Sequence, residues 1–242
     1  MRSMKADLPV VYRKSAAFFA AFPYPLRAIR PLLPHSMLAP VTLTPGKGAL
    51  VVAVFDHQET SLGAHREVGL GFMVRLRTSG PLPLLPLIAD RFFEDVGVWM
   101  QAFPTTSEAS VEIARTMFGA PKQLADVTVA RTEDHVDCEV TAGGESVLRI
   151  ELDRPGLGRN ATFPLRSYSA LGDDLLFTEM AADAVTASSR FRPSARLTLG
   201  RHPMVSDLDP AALTGARPLE VRFCDEYRTI LDRPAIRYRM SV

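Results

Sequence analysis

Two histidines and a glutamate near one another in the sequence are the first residues that could do chemistry. His65 and Glu67 are two positions apart, so on a β-strand their side chains would face the same side and could share a pocket. Glu67 is therefore a candidate acid–base group, the alternative being an exposed carboxylate at the end of a strand. His57 adds another metal-ligating side chain, but its spacing from His65 matches no ligand pattern, so the sequence predicts no metal site.

Other reactive residues form no recognisable catalytic or cofactor motif. Gly156-Leu157-Gly158 is not followed by a helical pattern, as a dinucleotide-binding loop would be. No serine lies in the Gly-x-Ser-x-Gly turn of the α/β-hydrolases. Cys138 and Cys224 are too few for a disulfide framework or a four-cysteine zinc site, and we expect them to be small buried residues. We therefore predict that the protein uses no cofactor.

Lys122 follows the strongest local signal in the chain, which is a predicted helix. Thr105 and Glu108 form a capping box at the start of this helix. Gly119 suits a left-handed residue at its C-terminal end, and Pro121 prevents the helix from continuing. Lys122 comes directly afterwards among apolar neighbours, and is either a buried amine or a surface lysine in a loop.

Most of the remaining chain is predicted to form β-strands joined by turns. Residues 24–34 fit a short helix, residues 57–66 a polar loop, and residues 175–190 either a helix or a strand. Gly143-Gly144 fits a tight turn between two strands. Many short strands with few helices favour a β-rich sandwich or barrel over alternating βαβ units. The predicted strands are residues 48–56, 67–77, 96–103, 124–131, 134–141, 145–152, 194–199 and 218–223.

Segments in the first half of the chain resemble the acetoacetate decarboxylase family in order and spacing. Ala114-Arg115-Thr116 and Pro121-Lys122-Gln123 resemble the family's Gly-Arg-Glu and Pro-Lys-Lys segments. Leu62-Gly63-Ala64-His65-Arg66-Glu67 stands in place of a Leu-Gly-x-Tyr-x-Glu element, and the stretch from Leu26 to Pro34 resembles an early Leu-Arg-x-x-x-Pro helix. The resemblance implies an α+β, β-rich fold. It implies one domain over residues 1–242, built around an antiparallel β-barrel with a few short helices and usually assembled into homo-oligomers.

The resemblance also implies that Lys122 is a nucleophile. A neutral amine attacks a ketone carbonyl to form a Schiff base, and the iminium then acts as an electron sink for chemistry at the neighbouring carbon. Glu67 would move protons in this reaction. Arg115 would bind a substrate carboxylate, unless it forms an ion pair with Glu108 or Glu112. The substrate-binding residues implied in this way are Arg115, His65, Gln123 and Phe118.

The sequence departs from the family pattern at positions that affect this chemistry. Gln123 replaces a second lysine, Thr116 replaces a glutamate, and Ala53 stands nearest the position of a further carboxylate. Without a neighbouring cation, burial alone would have to keep the amine neutral.

Our first hypothesis is a cofactor-independent lyase in which Lys122 forms a Schiff base with a β-keto or 2-oxo acid, leading to decarboxylation or to aldol and dehydration chemistry. The alternative is a superfamily member without Schiff-base chemistry that binds or cyclises an apolar, ketide-like molecule. A free Lys122 amine near Glu67 would favour the first hypothesis, and a Lys122 paired with a carboxylate in an apolar cavity would favour the alternative.

Charge and hydropathy narrow the expected partners. The chain has 28 basic and 27 acidic residues, a net charge of +1, which does not fit a nucleic-acid-binding surface. The apolar segment from Ala16 to Phe22 is expected to be a core segment and not a signal peptide. The apolar residues 81–88 include prolines that disfavour a membrane-spanning helix. We expect a cytoplasmic protein that acts on a small molecule, without nucleic-acid or membrane partners.

Overall fold

The computed structural model describes residues 8–33, 37–76, 94–234 and 236–239, so the apolar residues 81–88 lie outside the described part of the chain. The helical segments are α1 (Leu26–Ile29) with a 3₁₀ extension (Arg30–Leu32), α2 (Glu108–Ile113) with a π-helical continuation (Ala114–Phe118), and the 3₁₀ turns Pro203–Val205 and Pro210–Leu213. The strands are β1 (Val10–Pro25), β2 (Leu38–Pro40), β3 (Lys47–Thr60), β4 (His65–Leu76), β5 (Val96–Thr105), β6 (Lys122–Leu124), β7 (Asp126–Arg131), β8 (His135–Ala142), β9 (Glu145–Asp153), β10 (Arg159–Leu171), β11 (Asp174–Ser189), β12 (Ala195–Leu199), β13 (Glu220–Leu231) and β14 (Ile236–Arg239).

Within the described residues, seven strands close into a barrel. Strands β4, β3, β1, β13, β11 and β10 pair antiparallel in that order, and β5 closes the ring between β10 and β4. The β5–β10 pair is parallel, so the barrel is antiparallel except at this seam. The prediction of a β-rich α+β fold, built around a barrel with a few short helices, is confirmed.

Side chains alternate along the barrel strands between a packed face and a hollow one. On β3, Val52 and Val54 are fully buried in the main hydrophobic core, whereas Val51, Ala53 and Phe55 line a cavity inside the barrel. A second sheet, in the order β12-β9-β8-β7, covers the outer face of the barrel. Its core residues include Val136, Cys138, Val140, Leu148, Ile150 and Leu152.

The predicted loop over residues 57–66 is wrong. Strand β3 extends to Thr60, β4 begins at His65, and only residues 61–64 form the turn. His57 pairs with His65 across the two strands, and both side chains are buried. The polar composition misled the prediction because the hairpin is polar on both sides: Gln58 and Glu59 are exposed, whereas His57 and His65 face the buried polar end of the cavity.

The predicted start of the long helix is also wrong by two residues. Ser107, and not Thr105, is the N-cap, because its hydroxyl accepts a hydrogen bond from the backbone N–H of Ser110. Thr105 still belongs to β5 and is fully buried. The predicted left-handed end at Gly119 is confirmed, with φ +59° and no room for a Cβ atom beside the carbonyl of Ala170.

The remaining elements follow the sequence pattern closely. Residues 24–34 contain the short helix α1, for which Pro25 is the N-cap, and the open assignment of residues 175–190 resolves as strand β11. Gly143 and Gly144 both have positive φ in the β8–β9 turn. Cys138 and Cys224 are buried free thiols, as expected. None of the helices in the described ranges is both long and apolar enough to cross a membrane.

Candidate active site

A cavity of about 300 Å³ lies inside the barrel, and every barrel strand contributes to its wall. Most of the lining is apolar, including Phe19, Val51, Phe55, Met100, Phe103 and Phe163. Strand β6 and helix α2 add Lys122 and Ser110 at one end. At this end the chain brings together a polar cluster, which consists of Lys122, Glu67, Ser110, Thr105, His57 and His65.

Lys122 reaches the cavity from β6, which runs parallel to β5 with Lys122 opposite Phe103. Because neighbouring side chains alternate on a strand, Lys122 is buried while Gln123 is exposed. Its Nζ donates to Oε1 of Glu67 and to Oγ of Ser110, both at 2.6 Å. The Nζ atom also lies 4.4 Å from the centre of the Phe103 ring, a cation–π contact.

Glu67 is the centre of the polar cluster. It lies opposite Thr105 in the β4–β5 pairing, and its Oε1 accepts hydrogen bonds from the hydroxyls of Ser110 at 2.5 Å and Thr105 at 3.3 Å. Burial alone would raise the pKa of this carboxyl. The Lys122 ammonium more than offsets that effect and holds the pKa well below its usual range. Glu67 is therefore ionised at neutral pH.

The two histidines approach Glu67 from the β3–β4 hairpin. Nδ1 of His65 lies 2.9 Å from the carbonyl oxygen of Gly63, which can only accept, so Nδ1 carries the proton. Nε2 of His65 is then 3.2 Å from Oε1 of Glu67. His57 contacts the hydroxyl of Ser15 through Nδ1 at 2.9 Å, and its Nε2 is 3.9 Å from Oε2 of Glu67. Burial lowers the pKa of His57 to about 3, so its ring is neutral at neutral pH.

Aromatic rings enclose the histidine side of the cluster. Phe55 stacks on His57 with ring centres 5.5 Å apart, and the Tyr12 ring lies 4.5 Å from the same imidazole. Burial raises the pKa of Tyr12 and of Tyr227 well above the usual value. Both phenols therefore keep their protons at neutral pH.

A second polar group lies toward the other end of the cavity. Glu220 on β13 is bonded to Arg222 at 2.9 Å and to Arg190 at 3.0 Å, and both Glu220 and Arg222 line the wall. Tyr227, near the polar cluster, is on the same strand at a distance of roughly 20 Å for an extended chain. The cavity is thus elongated along the barrel strands.

Of the residues that the sequence singled out, the structure brings Lys122 and Glu67 into direct contact at the cavity wall. His65 contacts Glu67 and is buried, but it is not among the residues that line the cavity. Phe118 lines the cavity beside Ser110. These residues come from separate strands and one helix, and the barrel closure brings them together.

Arg115 and Gln123 do not reach the cavity. Both side chains are exposed, and the Nε of Arg115 donates to the backbone carbonyl of Lys122 at 3.1 Å. In the π-helical turn, Ala114 and Phe118 take the inward positions, which leaves Arg115 outside. The prediction that these two side chains contact substrate is therefore corrected. Arg115 binds the backbone of β6, and Gln123 faces away from the amine.

Sequence reasoning did not single out Ser110, and it gave Thr105 and His57 other roles. Ser110 and Ala114 are four residues apart on one helical face, and Phe118 follows at the same interval, a spacing that could have indicated a shared inward side. His57 was considered only as a metal ligand. Ser15 has no local signal, since its role depends on the pairing of β1 with β3.

Comparisons with known proteins agree with the fold. The family model for acetoacetate decarboxylase matches residues 2–216. No curated protein sequence matches the chain. A solved acetoacetate decarboxylase superimposes with a TM-score of 0.67 at 13% identity, covering 99% of this chain and 95% of its own. The acetoacetate decarboxylase from Legionella pneumophila has a TM-score of 0.63 at 14% identity, with coverage of 98% and 94%.

A third solved structure with a similar fold is that of a biosynthetic enzyme. The enduracididine biosynthesis enzyme MppR, complexed with pyruvate, has a TM-score of 0.62 at 13% identity and covers 99% of this chain and 93% of its own. Because the family model spans most of the sequence, the chain belongs to the acetoacetate decarboxylase family.

Proposed function

We propose that the protein is a lyase that forms a Schiff base through Lys122 with a keto acid. The observation that carries this proposal is the position of the Lys122 amine, at the wall of an apolar cavity and beside Glu67 and Ser110, which can take up its proton. An amine in this position can meet a carbonyl carbon in a site from which most water is excluded.

The polar cluster supplies a path for the protons of this reaction. Ser110 accepts a hydrogen bond from Nζ of Lys122 and donates one to Oε1 of Glu67. A proton leaving the amine can pass to the carboxylate directly or through this hydroxyl. The neutral amine then adds to the carbonyl, water is lost, and the iminium accepts the electrons released at the neighbouring carbon.

The choice between decarboxylation and aldol chemistry depends on the substrate. A β-keto acid would release carbon dioxide and leave the electrons of the broken bond in the iminium. A 2-oxo acid would instead give an enamine that can add to an aldehyde. MppR has been solved with pyruvate and with the condensation product of pyruvate and imidazole 4-carboxaldehyde, which supports the second class for members of this fold. The elongated apolar cavity supports a substrate with an apolar chain beyond the keto acid group.

The test is borohydride trapping with a panel of 2-oxo acids, β-keto acids and aldehydes, read by intact mass. The wild type should gain one covalent adduct, and peptide mapping should place it on Lys122. Lys122→Arg keeps the positive charge beside Glu67 but cannot form a Schiff base, so it should gain none. Lys47→Met removes an exposed lysine and should trap like the wild type.

One observation favours the second candidate, a family member that binds or cyclises an apolar molecule without covalent chemistry. Nζ of Lys122 forms an ion pair with Glu67 at 2.6 Å, and an ammonium held in an ion pair cannot attack a carbonyl. No second lysine offsets this, because Gln123 stands at the next position. Absence of any adduct, together with saturable binding of an apolar ketone to the wild type, would establish this second candidate.

Assembly and location are part of the same proposal. We propose a homo-oligomer on the basis of the family resemblance, and a cytoplasmic location on the basis of the sequence pattern. Sedimentation of the purified full chain tests the first point.

A further inference from the structure

His57 and His65, which have no role in the proposed Schiff-base reaction, form a compact group with Glu67. One potential ligand atom from each of the three side chains lies within 4.8 Å of the other two. Each of the three residues is at least 96% buried, with relative exposures of 4%, 4% and 2%. The pairing of His57 with His65 across the β3–β4 hairpin fixes this arrangement in the backbone.

Both imidazoles are held by the nitrogen that faces away from the carboxylate. Nδ1 of His65 donates to the carbonyl of Gly63, and Nδ1 of His57 contacts the hydroxyl of Ser15. Nε2 of each ring is thereby directed at Glu67. Metal-ligating histidines are usually oriented in this way, by a hydrogen bond from the second ring nitrogen to a carbonyl or another polar group.

One buried nitrogen of this group, Nε2 of His65, lacks a hydrogen-bond partner of acceptable geometry among the described residues. This atom is nevertheless only 3.2 Å from Oε1 of Glu67. With Nδ1 donating to Gly63, the lone pair of Nε2 in the neutral ring points at the Glu67 carboxylate. A cation placed between these two atoms, either a proton on Nε2 or a metal ion, would bind both of them.

We propose that His57, His65 and Glu67 bind a divalent transition-metal ion of the Zn²⁺ or Fe²⁺ class. Two imidazole nitrogens and one carboxylate are a ligand set that these metals accept, whereas Ca²⁺ and Mg²⁺ prefer oxygen ligands alone. Metal–ligand distances of about 2.0–2.2 Å require ligand atoms slightly more than 3 Å apart. The contact of His65 with Oε1 of Glu67 already meets this spacing at 3.2 Å. His57, whose Nε2 is 3.9 Å from Oε2, must move closer for all three ligands to reach one ion.

Lys122 would compete with the metal for the same carboxylate. Its Nζ occupies Oε1 of Glu67 at 2.6 Å, and it supplies the positive charge that a metal would otherwise bring. Removal of this ammonium should therefore strengthen metal binding, and metal binding should slow any reaction at the Lys122 amine. The inference rests on the ligand geometry and does not require Schiff-base chemistry.

The test uses the full chain after treatment with a chelator. Titration with Co²⁺, followed by its visible absorption, and with Zn²⁺, followed by calorimetry, should each show one site per chain. His57→Ala and His65→Ala should each weaken binding at least 100-fold, and His135→Ala, at an exposed histidine outside the group, should leave it unchanged. Ser15→Ala should weaken binding about 10-fold, since it frees His57 without removing a ligand.

Lys122→Met separates this inference from the proposed function. This variant cannot form a Schiff base, yet it should bind Zn²⁺ at least 10-fold more tightly than the wild type. Should the alanine variants fail to fold, X-ray absorption of the Zn²⁺-loaded wild type should still show two imidazole ligands. The proposal is overturned if neither the wild type nor Lys122→Met binds Co²⁺ or Zn²⁺, or if the bound metal has no histidine ligand.

Discussion

The outer and inner faces of the barrel are built from the same strands, but the outer face is packed and the inner face borders a cavity. On β3, the outward residues Val52 and Val54 are completely buried beneath the second sheet. The inward residues Val51, Ala53 and Phe55 alternate with them and border the cavity. The outer face is thus a packed core, and the inner face is a lined space with a polar cluster at one end.

This difference separates the part of the barrel that stabilises the fold from the part that carries reactive side chains. Apolar side chains packed at full density stabilise the fold through the area that they remove from water. The inner face contributes less packing, since its side chains lack partners on the cavity side. It instead holds an ion pair between Lys122 and Glu67, which is retained only because several hydrogen bonds satisfy the carboxylate.

The largest effect on stability should come from breaking that ion pair on one side. Glu67→Gln leaves the Lys122 ammonium buried without its counter-charge, and we expect it to lower the free energy of unfolding by about 3–5 kcal/mol. Urea denaturation at pH 7 measures this loss.

A double variant sharpens the same comparison. Glu67→Gln combined with Lys122→Met removes both charges and should recover part of the loss, because no isolated charge remains buried. If the two single losses simply added in the double variant, the ion pair would not be the source of the effect.

Alanine substitutions at two adjacent positions of β3 should have a smaller effect on stability and should distinguish the packed face from the cavity face. Val52→Ala deletes methyl groups from the packed face and should cost about 2 kcal/mol of unfolding free energy. Val51→Ala makes the same change on the cavity side and should cost less than about 1 kcal/mol, since the space beside it is already open. Equal losses in urea denaturation would contradict the view that the inner face is loosely packed.

The smallest effect is expected outside the cavity. Gln123→Lys adds a cation next to Lys122 in sequence, but the side chain is exposed and directed away from the amine. Solvent screening should keep the borohydride trapping rate within about twofold of the wild type and the unfolding free energy within about 0.5 kcal/mol. Gln123→Glu is the matched control with the opposite charge. A trapping rate that rises tenfold in Gln123→Lys alone would mean that position 123 reaches the amine.

Local sequence patterns determined much of the fold and the two central residues of the site. Strand segments follow from runs of alternating or apolar residues, and the helix end follows from Gly119 and Pro121, because these signals depend on near neighbours. Lys122 and Glu67 were identified through short motifs that keep their spacing in the chain. The same motifs also nominated Arg115 and Gln123, since a motif gives spacing but not the direction of a side chain.

Only the tertiary structure decided which side chains meet. Lys122 contacts Glu67 across 55 positions of sequence, and Ser110 contacts it across 43, so no local pattern relates them. His57 and His65 lie in a polar stretch that resembles a loop, and they become strand residues because barrel closure buries them against Glu67. The inward or outward direction of each side chain was fixed by the register of the strands and by the π-helical turn, which depend on contacts between distant segments.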